Sequence, residues 1–353
     1  MSTLNNKVLG SLVAAAAGDS IGAATELRTI EQIKRDFNGW VTTFMAPPQD
    51  TFGRCNKAGM VTDDFIQGRY ILEAALERNG EVNDEVLRNA FKRWLEYPFY
   101  PNFTGPTTRA AMQRIFDDKR QSLQGDAEAG EPAQDFVLIN NGNASATNGA
   151  AMKAWAATML SLSNPEKLIA NTYEIAKFTH NNVISVSGAC AISTAVNAAL
   201  EEGRTLRDIM QIGIQGADQG YKYADENGAM MMAGPSVARR IELAILIGKQ
   251  HLSWDTAVVE LADIIGTGLH ASEAVPAAFG ILACCGDDPE QAILAGVNIG
   301  NDTDTVAIMV GSIVGAIHGY EALPSEYLNV LNAANNFNLE DLTAQILKVH
   351  NLN

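Results

Sequence analysis

A chain of 353 residues, 47% of them apolar, is long enough to bury a large core, and its length alone suggests about two domains. The formal net charge of −16 argues against nucleic acid or an anionic membrane as a partner, because the surface as a whole repels polyanions. A phosphate-bearing substrate would have to be held locally, by backbone amides, helix N-termini or bound cations. We therefore expect no nucleic-acid partner and no membrane partner.

The first predicted element is a helix. Residues 1–20 end in an alanine-rich run with Lys7 as the single basic residue, which favours a structural helix over a signal peptide. Apolar residues recur at helical intervals along most of the chain, as in residues 66–74. Only residues 41–44 and 135–139 suggest short extended pieces, and these do not make a sheet. The predicted fold class is all-α.

Three stretches interrupt the helical pattern and are predicted to be loops. Residues 38–60 contain glycines and two consecutive prolines, residues 97–108 are rich in proline and aromatic residues, and residues 117–149 are polar and end in a Gly/Asn-rich turn. Loops longer than about a dozen residues in a compact domain tend to be functional or mobile. Because no repeat and no linker divides the sequence, we predict one domain that spans residues 1–353.

The cysteines and the apolar runs bear on location. Cys55, Cys190, Cys284 and Cys285 lack the CxxC spacing of metal sites, and the adjacent pair is a poor candidate for an ordinary disulfide. Reduced, buried thiols in a cytoplasmic protein are the expectation. No apolar run in the sequence approaches an uninterrupted membrane span.

Two polar clusters each deliver a pair of carboxylates and a threonine to the start of a predicted helix. Their members are Thr62, Asp63 and Asp64 in the first cluster and Asp302, Asp304 and Thr305 in the second. Each cluster alone is typical of helix N-capping. Together they offer an all-oxygen donor set that suits Mg²⁺ or Mn²⁺ better than zinc. Asp302 and Asp304 would diverge by roughly 200° on a regular helix, so a shared ion requires a turn that is still non-helical there.

Six segments occur in the order of a known family signature. They are GSLVAAAAGDSIGAATE (10–26), VTDD (61–64), TNGAAMK (147–153), FTH (178–180), GTGLHASEAVPAA (266–278) and GNDTDTVAIMVGSIVGA (300–316). In these segments the chain resembles the ADP-ribosylglycohydrolase family from near the N-terminus to about residue 320. The resemblance implies a single, compact, all-helical domain with two Mg²⁺ (or Mn²⁺) ions in a central cleft. It also implies a metal-dependent hydrolase that cleaves the glycosidic bond between ADP-ribose and an acceptor, either a protein or a small compound.

The same resemblance assigns roles to residues. Thr62, Asp63, Asp64, Asp302, Asp304 and Thr305 match the metal ligands of the family. The candidate catalytic residues are Glu26, Asp63 and Asp304, and the candidate substrate contacts are Gly105, Thr107, Asn148, Gly149 and His180. A lone histidine at a helix boundary, such as His180, is more often a hydrogen-bonded structural residue. Asp19 is predicted to tie the first helix to its neighbours.

The chain departs from the family pattern at three positions. Phe65 replaces a usual threonine or serine, Asn301 replaces a usual glycine, and Lys153 stands where arginine is common. None of these changes removes a predicted ligand, but they leave the substrate open. An N-ribosidase that acts on a nucleoside-like small molecule is one alternative, and a non-catalytic ADP-ribose-binding protein on the same scaffold is another.

Overall fold

The computed structural model describes residues 2–116 and 145–352, and within these ranges the chain is helical and forms no strand. The all-α prediction is therefore confirmed. The α-helices are α1 (Thr3–Gly22), α2 (Ile30–Asp36), α3 (Asp63–Leu76), α4 (Asp84–Leu95), α5 (Tyr100–Phe103), α6 (Pro106–Phe116), α7 (Trp155–Met159), α8 (Leu168–His180), α9 (Val183–Leu200), α10 (Leu206–Glu226), α11 (Val237–Gly248), α12 (Trp254–Ile264), α13 (Ala271–Cys285), α14 (Pro289–Asn298), α15 (Thr303–His318), α16 (Glu326–Asn335) and α17 (Leu339–Val349). The extended piece predicted at residues 135–139 lies outside the described residues, as does most of the loop predicted at 117–149.

Helices α1 and α15 pack against each other through small residues in the centre of the fold. A Cβ atom added at Gly18 would lie 2.3 Å from the carbonyl oxygen of Ala307, and one added at Gly311 would lie 2.2 Å from that of Ala14. The two backbones therefore touch directly. Both helices are buried on almost every side, which explains why their sequences are apolar all round rather than amphipathic.

Asp19 connects α1 to the start of α3. Its carboxylate accepts hydrogen bonds from the backbone N–H groups of Thr62 and Phe65 and from the Thr62 hydroxyl, at 2.6 to 3.1 Å. An acidic group at a helix N-terminus satisfies free N–H groups and interacts favourably with the helix dipole. The structural role predicted for Asp19 is confirmed.

One helix corrects the expectation about membrane spans. Val183–Leu200 is long and apolar enough to cross a membrane by length and composition, but 89% of it is buried inside the protein. It packs against α10 at Gly216 and Gly220, where an added Cβ would clash with Thr194 and Cys190. A mostly buried helix of this kind is also found at the core of compact helical folds.

Two further expectations were wrong in part. The loop predicted at residues 97–108 contains the short helix α5, and α6 begins at Pro106, where proline needs no backbone N–H. The four cysteines are free, as predicted, but Cys190 alone is buried and Cys55 is exposed in the loop at 38–60. Residues 41–44 form no strand.

Candidate active site

A cleft of about 530 Å³ collects every residue to which the sequence analysis gave a site role. The twelve residues are Glu26, Thr62, Asp63, Asp64, Gly105, Thr107, Asn148, Gly149, His180, Asp302, Asp304 and Thr305. The carboxylates form a polar floor, and the walls include apolar side chains such as Phe52, Phe103 and Leu269. Residues far apart in the sequence thus share one concave site, which is the usual form of a small-molecule site.

The two carboxylate clusters meet in space. The Thr305 hydroxyl donates a 2.7 Å hydrogen bond to Oδ2 of Asp64, so the loop before α15 touches the start of α3 directly. One carboxylate oxygen from each of Glu26, Asp302 and Asp304 lies within 4.8 Å of the other two. The two clusters are therefore parts of one site. Two independent helix caps would have no reason to lie together.

The backbone at Asp302 explains how both carboxylates of the second cluster face the cleft. Asp302 precedes α15 with φ −93° and ψ 63°, which is not helical, and its side chain makes no cap hydrogen bond. Its backbone N–H donates to the carbonyl of Thr267, and its Oδ2 accepts from Nδ2 of Asn148 at 2.5 Å. Asp304 follows in the first helical turn. The non-helical residue that a shared ion requires is present.

Thr62 behaves as a helix cap within the cleft. It precedes α3, and its hydroxyl oxygen accepts from the backbone N–H of Asp64 at 3.4 Å, while its hydroxyl hydrogen is donated to Asp19. The remaining lone pair is the part of Thr62 that could bind an ion. The assignment of Thr62 as a metal ligand stays a prediction.

Burial dominates the electrostatics of the floor. It raises the pKa of Asp63 to about 8, and the neighbouring charge of Asp19 adds to the shift. Burial likewise raises the pKa values of Asp64, Asp304 and Glu26 well above their ordinary range. Ionised carboxylates in such a place repel one another and need compensation by cations.

The donor set fits hard divalent cations. Its atoms are carboxylate and hydroxyl oxygens, which Mg²⁺ and Mn²⁺ prefer. Glu26 is only 4% exposed, and its Oε2 has no hydrogen-bond partner within the part of the chain that the structure describes. A buried, unpartnered carboxylate oxygen beside two further carboxylates has an unmet demand for positive charge.

The opposite wall is built from the turn at residues 147–150 and from His180. Gly149 packs closely against the imidazole, since a Cβ there would lie 2.8 Å from Cε1 of His180. Nε2 of His180 lies 2.8 Å from the Thr147 hydroxyl. Burial, together with the positive charge of Lys153, holds the pKa of His180 well below its ordinary value. The ring is therefore neutral at physiological pH.

Sequence reasoning missed several residues of the cleft. Phe52 and Arg54 lie in the loop at 38–60, Arg109 lies in α6, and Leu269 lies in the segment before α13. The length of the first loop indicated a functional segment but did not single out a side chain. Lys153 is buried behind the floor, and the only signal for it was the departure from arginine.

Comparison with known proteins places this geometry in a family. The model of the ADP-ribosylglycohydrolase family matches residues 1–352. ADP-ribosylhydrolase ARH3 of Homo sapiens is 26% identical over 336 residues, which cover 90% of this chain and 87% of that protein. ADP-ribosyl-[dinitrogen reductase] glycohydrolase of Rhodospirillum rubrum is 22% identical and covers 94% of this chain and 92% of its own.

Two further similarities extend over nearly the whole chain. The uncharacterised protein YegU of Escherichia coli strain K12 is 27% identical over 347 residues, 97% of this chain and 96% of that protein. A solved structure described as an ADP-ribosylglycohydrolase-related protein complex superposes with a TM-score of 0.66 at 21% identity, and covers 100% of this chain and 99% of its own. The latter similarity supports the fold.

Proposed function

Since this chain belongs to the ADP-ribosylglycohydrolase family, we propose that it is a magnesium- or manganese-dependent hydrolase that cleaves the glycosidic bond between ADP-ribose and an acceptor. The acceptor would be a protein side chain or a small compound. Support comes from one observation above all: carboxylates from three distant segments lie together, buried, on the floor of a substrate-sized cleft. A cytoplasmic location is part of the proposal and is supported by the four free cysteines.

The predicted metal ligands fit this proposal. Two divalent cations would be held by oxygens of Thr62, Asp63, Asp64, Asp302, Asp304 and Thr305. When bound, such ions supply Lewis-acid stabilisation to oxygens of the sugar and of the attacking water. The bridge from Thr305 to Asp64 keeps the two groups of ligands at a fixed separation.

Glu26 is the best-placed proton carrier. Hydrolysis breaks the bond between the anomeric carbon and the acceptor atom and forms a bond from that carbon to a water oxygen. The water loses a proton to a carboxylate, and the departing acceptor atom gains one. Oε2 of Glu26 has no hydrogen-bond partner among the described residues, and one carboxylate oxygen of Glu26 lies within 4.8 Å of oxygens of Asp302 and Asp304. Burial is the main cause that raises the pKa of Glu26 above its ordinary value. A carboxylate whose pKa lies nearer neutrality is better suited to both transfers.

The walls suit the rest of the substrate. Phe52, Phe103 and Leu269 offer apolar surface for a flat base. Arg54 and Arg109 also line the cleft, and each has hydrogen bonds to neutral oxygens of the protein. In a chain of net charge −16, two cationic side chains at this position suit a diphosphate.

An assay with defined substrates tests the proposal. Release of ADP-ribose from ADP-ribosyl-arginine and ADP-ribosyl-serine peptides is followed with Mg²⁺ and with a chelator, beside nucleosides that lack the diphosphate. We expect Mg²⁺-dependent release from at least one ADP-ribosyl substrate and no cleavage of the nucleosides. A preference for nucleosides, or equal rates with the chelator, would contradict the proposal.

A pair of aspartate variants provides the control. Asp302→Asn removes a carboxylate of the floor. Asp288→Asn instead changes an aspartate that caps the N-terminus of α14 by accepting from the backbone N–H of Gln291. Asparagine caps helices as well as aspartate does. We expect Asp302→Asn to lose Mg²⁺-dependent turnover and Asp288→Asn to keep it. If both variants retain full activity, the floor is not the metal site.

A further inference from the structure

Lys153 lies behind the floor of the cleft, and its ammonium group is completely buried, with 0% exposure. A buried lysine is rare unless its charge and its donors are satisfied. All three donors of this ammonium have acceptors: the carbonyl oxygen of Gly149, Oε1 of Gln67 at 3.2 Å and the hydroxyl of Thr179 at 3.3 Å. All three acceptors are neutral groups, so the lysine organises its surroundings in addition to balancing charge.

Each acceptor of Lys153 leads to a different part of the site. Gln67 turns its amide nitrogen to Oδ2 of Asp63 at 2.9 Å. Gly149 belongs to the turn whose Asn148 donates to Asp302. The hydroxyl of Thr179 lies 2.7 Å from Nδ1 of His180. One buried cation therefore connects the first carboxylate cluster, the second carboxylate cluster and the histidine.

The connection through Thr179 has a consequence for the tautomer of His180. The ammonium can only donate, so the Thr179 oxygen accepts from it and the hydroxyl hydrogen points away. Among the described residues, Nδ1 of His180 lies within hydrogen-bond reach of that hydrogen and can accept it. A neutral ring that accepts at Nδ1 carries its proton on Nε2, and Nε2 then donates to the Thr147 hydroxyl at the cleft wall.

We propose that Lys153 is a positioning residue: through Gln67 it orients Asp63, through the Gly149 carbonyl it fixes the Asn148 turn, and through Thr179 it holds His180 in the Nε2–H tautomer. Mutation of groups that orient metal ligands and histidines from behind typically costs about 10 to 100-fold in metal affinity or activity. The proposal rests on the proposed function for its catalytic consequence, but not for the tautomer of His180.

The first experiment measures that tautomer in metal-free protein by ¹⁵N NMR of labelled histidine. We expect wild-type protein to show one protonated nitrogen, Nε2, and one unprotonated nitrogen, Nδ1, for His180. In Lys153→Met the two resonances should move toward each other, because both tautomers become populated. Lys153→Arg keeps the charge and the donors and should restore the single tautomer. An unchanged spectrum in Lys153→Met would overturn the proposal.

The second experiment measures Mg²⁺ affinity by calorimetry, where the direction of the change is decisive. If Lys153 only balanced charge, its removal would strengthen Mg²⁺ binding, because a competing cation is lost. If it positions Asp63, Lys153→Met should weaken Mg²⁺ binding by about 10-fold or more. Gln67→Met breaks the same connection without a change of charge and should weaken binding in the same direction. Tighter binding in Lys153→Met would overturn the proposal.

Separate variants isolate the three connections and protect the test against misfolding of Lys153→Met. Thr179→Val should alter the His180 spectrum and lower kcat by about 10-fold while Mg²⁺ affinity stays near the wild-type value. Lys7→Met is the matched control, because Lys7 also donates to backbone carbonyls, those of Ala199 and Glu201, at 2.8 and 3.1 Å. Lys7→Met should change neither the His180 spectrum nor the Mg²⁺ affinity. Normal spectra and normal Mg²⁺ affinity in both Gln67→Met and Thr179→Val would refute the positioning role, even if hydrolysis of ADP-ribosyl substrates were absent.

Discussion

Replacement of Asp63 by asparagine removes one ionisable group from the cleft floor with little change of shape. In wild-type protein, Oδ2 of Asp63 accepts a 2.9 Å hydrogen bond from Gln67, and an amide oxygen can accept the same bond. What changes is the cost of ionisation. Burial and the charge of Asp19 raise the pKa of Asp63 to about 8 from an ordinary value of 3.8, so the carboxylate is less stable as an anion in the folded protein than in the unfolded chain.

The sign and size of the effect follow from proton linkage. Between pH 3.8 and about 8 the folded state binds more protons at Asp63 than the unfolded state, so the free energy of unfolding falls as pH rises through this window. A shift of about four units corresponds to about 5 kcal/mol near pH 8 as an upper limit. Because the neighbouring carboxylates share their protons, we expect Asp63→Asn to stabilise metal-free protein by about 3 kcal/mol at pH 8 and by about 1 kcal/mol at pH 5.

Thermal unfolding in a chelating buffer measures this difference. An unfolding entropy of roughly 2.1 cal/mol/K per residue converts 3 kcal/mol into a rise in Tm of about 4 °C for a chain of 353 residues. Added Mg²⁺ should raise the Tm of wild-type protein, since a ligand that binds only the folded state stabilises it, and should raise that of the variant less. A lower Tm for Asp63→Asn at pH 8 without metal, or an equal response of both proteins to Mg²⁺, would refute this reasoning.

Three further outcomes are expected. Glu26→Gln should reduce kcat by about 10² to 10⁴-fold while ADP-ribose still binds in calorimetry, and a smaller loss would exclude Glu26 as the main proton carrier. The pH profile of kcat/KM should show no inflection from His180 near its ordinary pKa of 6.5, because burial lowers that pKa; an inflection there that His180→Gln removes would contradict the neutral ring. Gly22→Ala and Gly311→Ala should each cost about 1 to 3 kcal/mol of stability in a denaturant titration. Only Gly22→Ala should also lower activity at 25 °C, because its Cβ would lie 2.6 Å from Cα of Asp304, whereas the Cβ of Gly311→Ala would meet the backbone of Ala14. Equal activity of the two variants would refute the link between the packing of α1 and the geometry of the site.

The helices were predictable because their signals are local. The spacing of apolar residues at 66–74 predicts α3, which spans Asp63–Leu76, and the alanine-rich start predicts α1. Short helices were not predictable, because α5 (Tyr100–Phe103) is shorter than one heptad and is framed by prolines. Its Tyr100 packs edge-on against Trp94 of α4, a contact between two helices that a local pattern does not encode.

The meeting of the two carboxylate clusters was beyond local reasoning. Asp64 and Thr305 are 241 residues apart, and nothing in either segment specifies the other. The family signature supplied that expectation, and the Thr305 to Asp64 hydrogen bond now supports it. The signature could not explain Asn301, but the structure does: its φ is 64°, a left-handed conformation in which glycine is free of strain and asparagine is tolerated.

Close packing of α1 against α15 also determines the geometry of the site. Beyond the end of α1, the hydroxyl of Thr25 bonds to the carbonyl of Val297 at 2.5 Å and to Thr303 at 3.0 Å. Two residues later the N–H of Leu27 donates to the carbonyl of Asn301 at 2.8 Å. Glu26 is therefore fastened on both sides to the loop that carries the second carboxylate cluster.

The small residues of α1 have two effects as a result. They allow the backbone contact that stabilises the helix pair. They also determine where α1 ends relative to α15, and thereby the position of Glu26. A shift of α1 along its partner would move Glu26 and Asp304 relative to each other, because Gly22 lies against the backbone of Asp304. The small residues of this helix thus fix the distance between Glu26 and Asp304, and an alanine at Gly22 would change that distance.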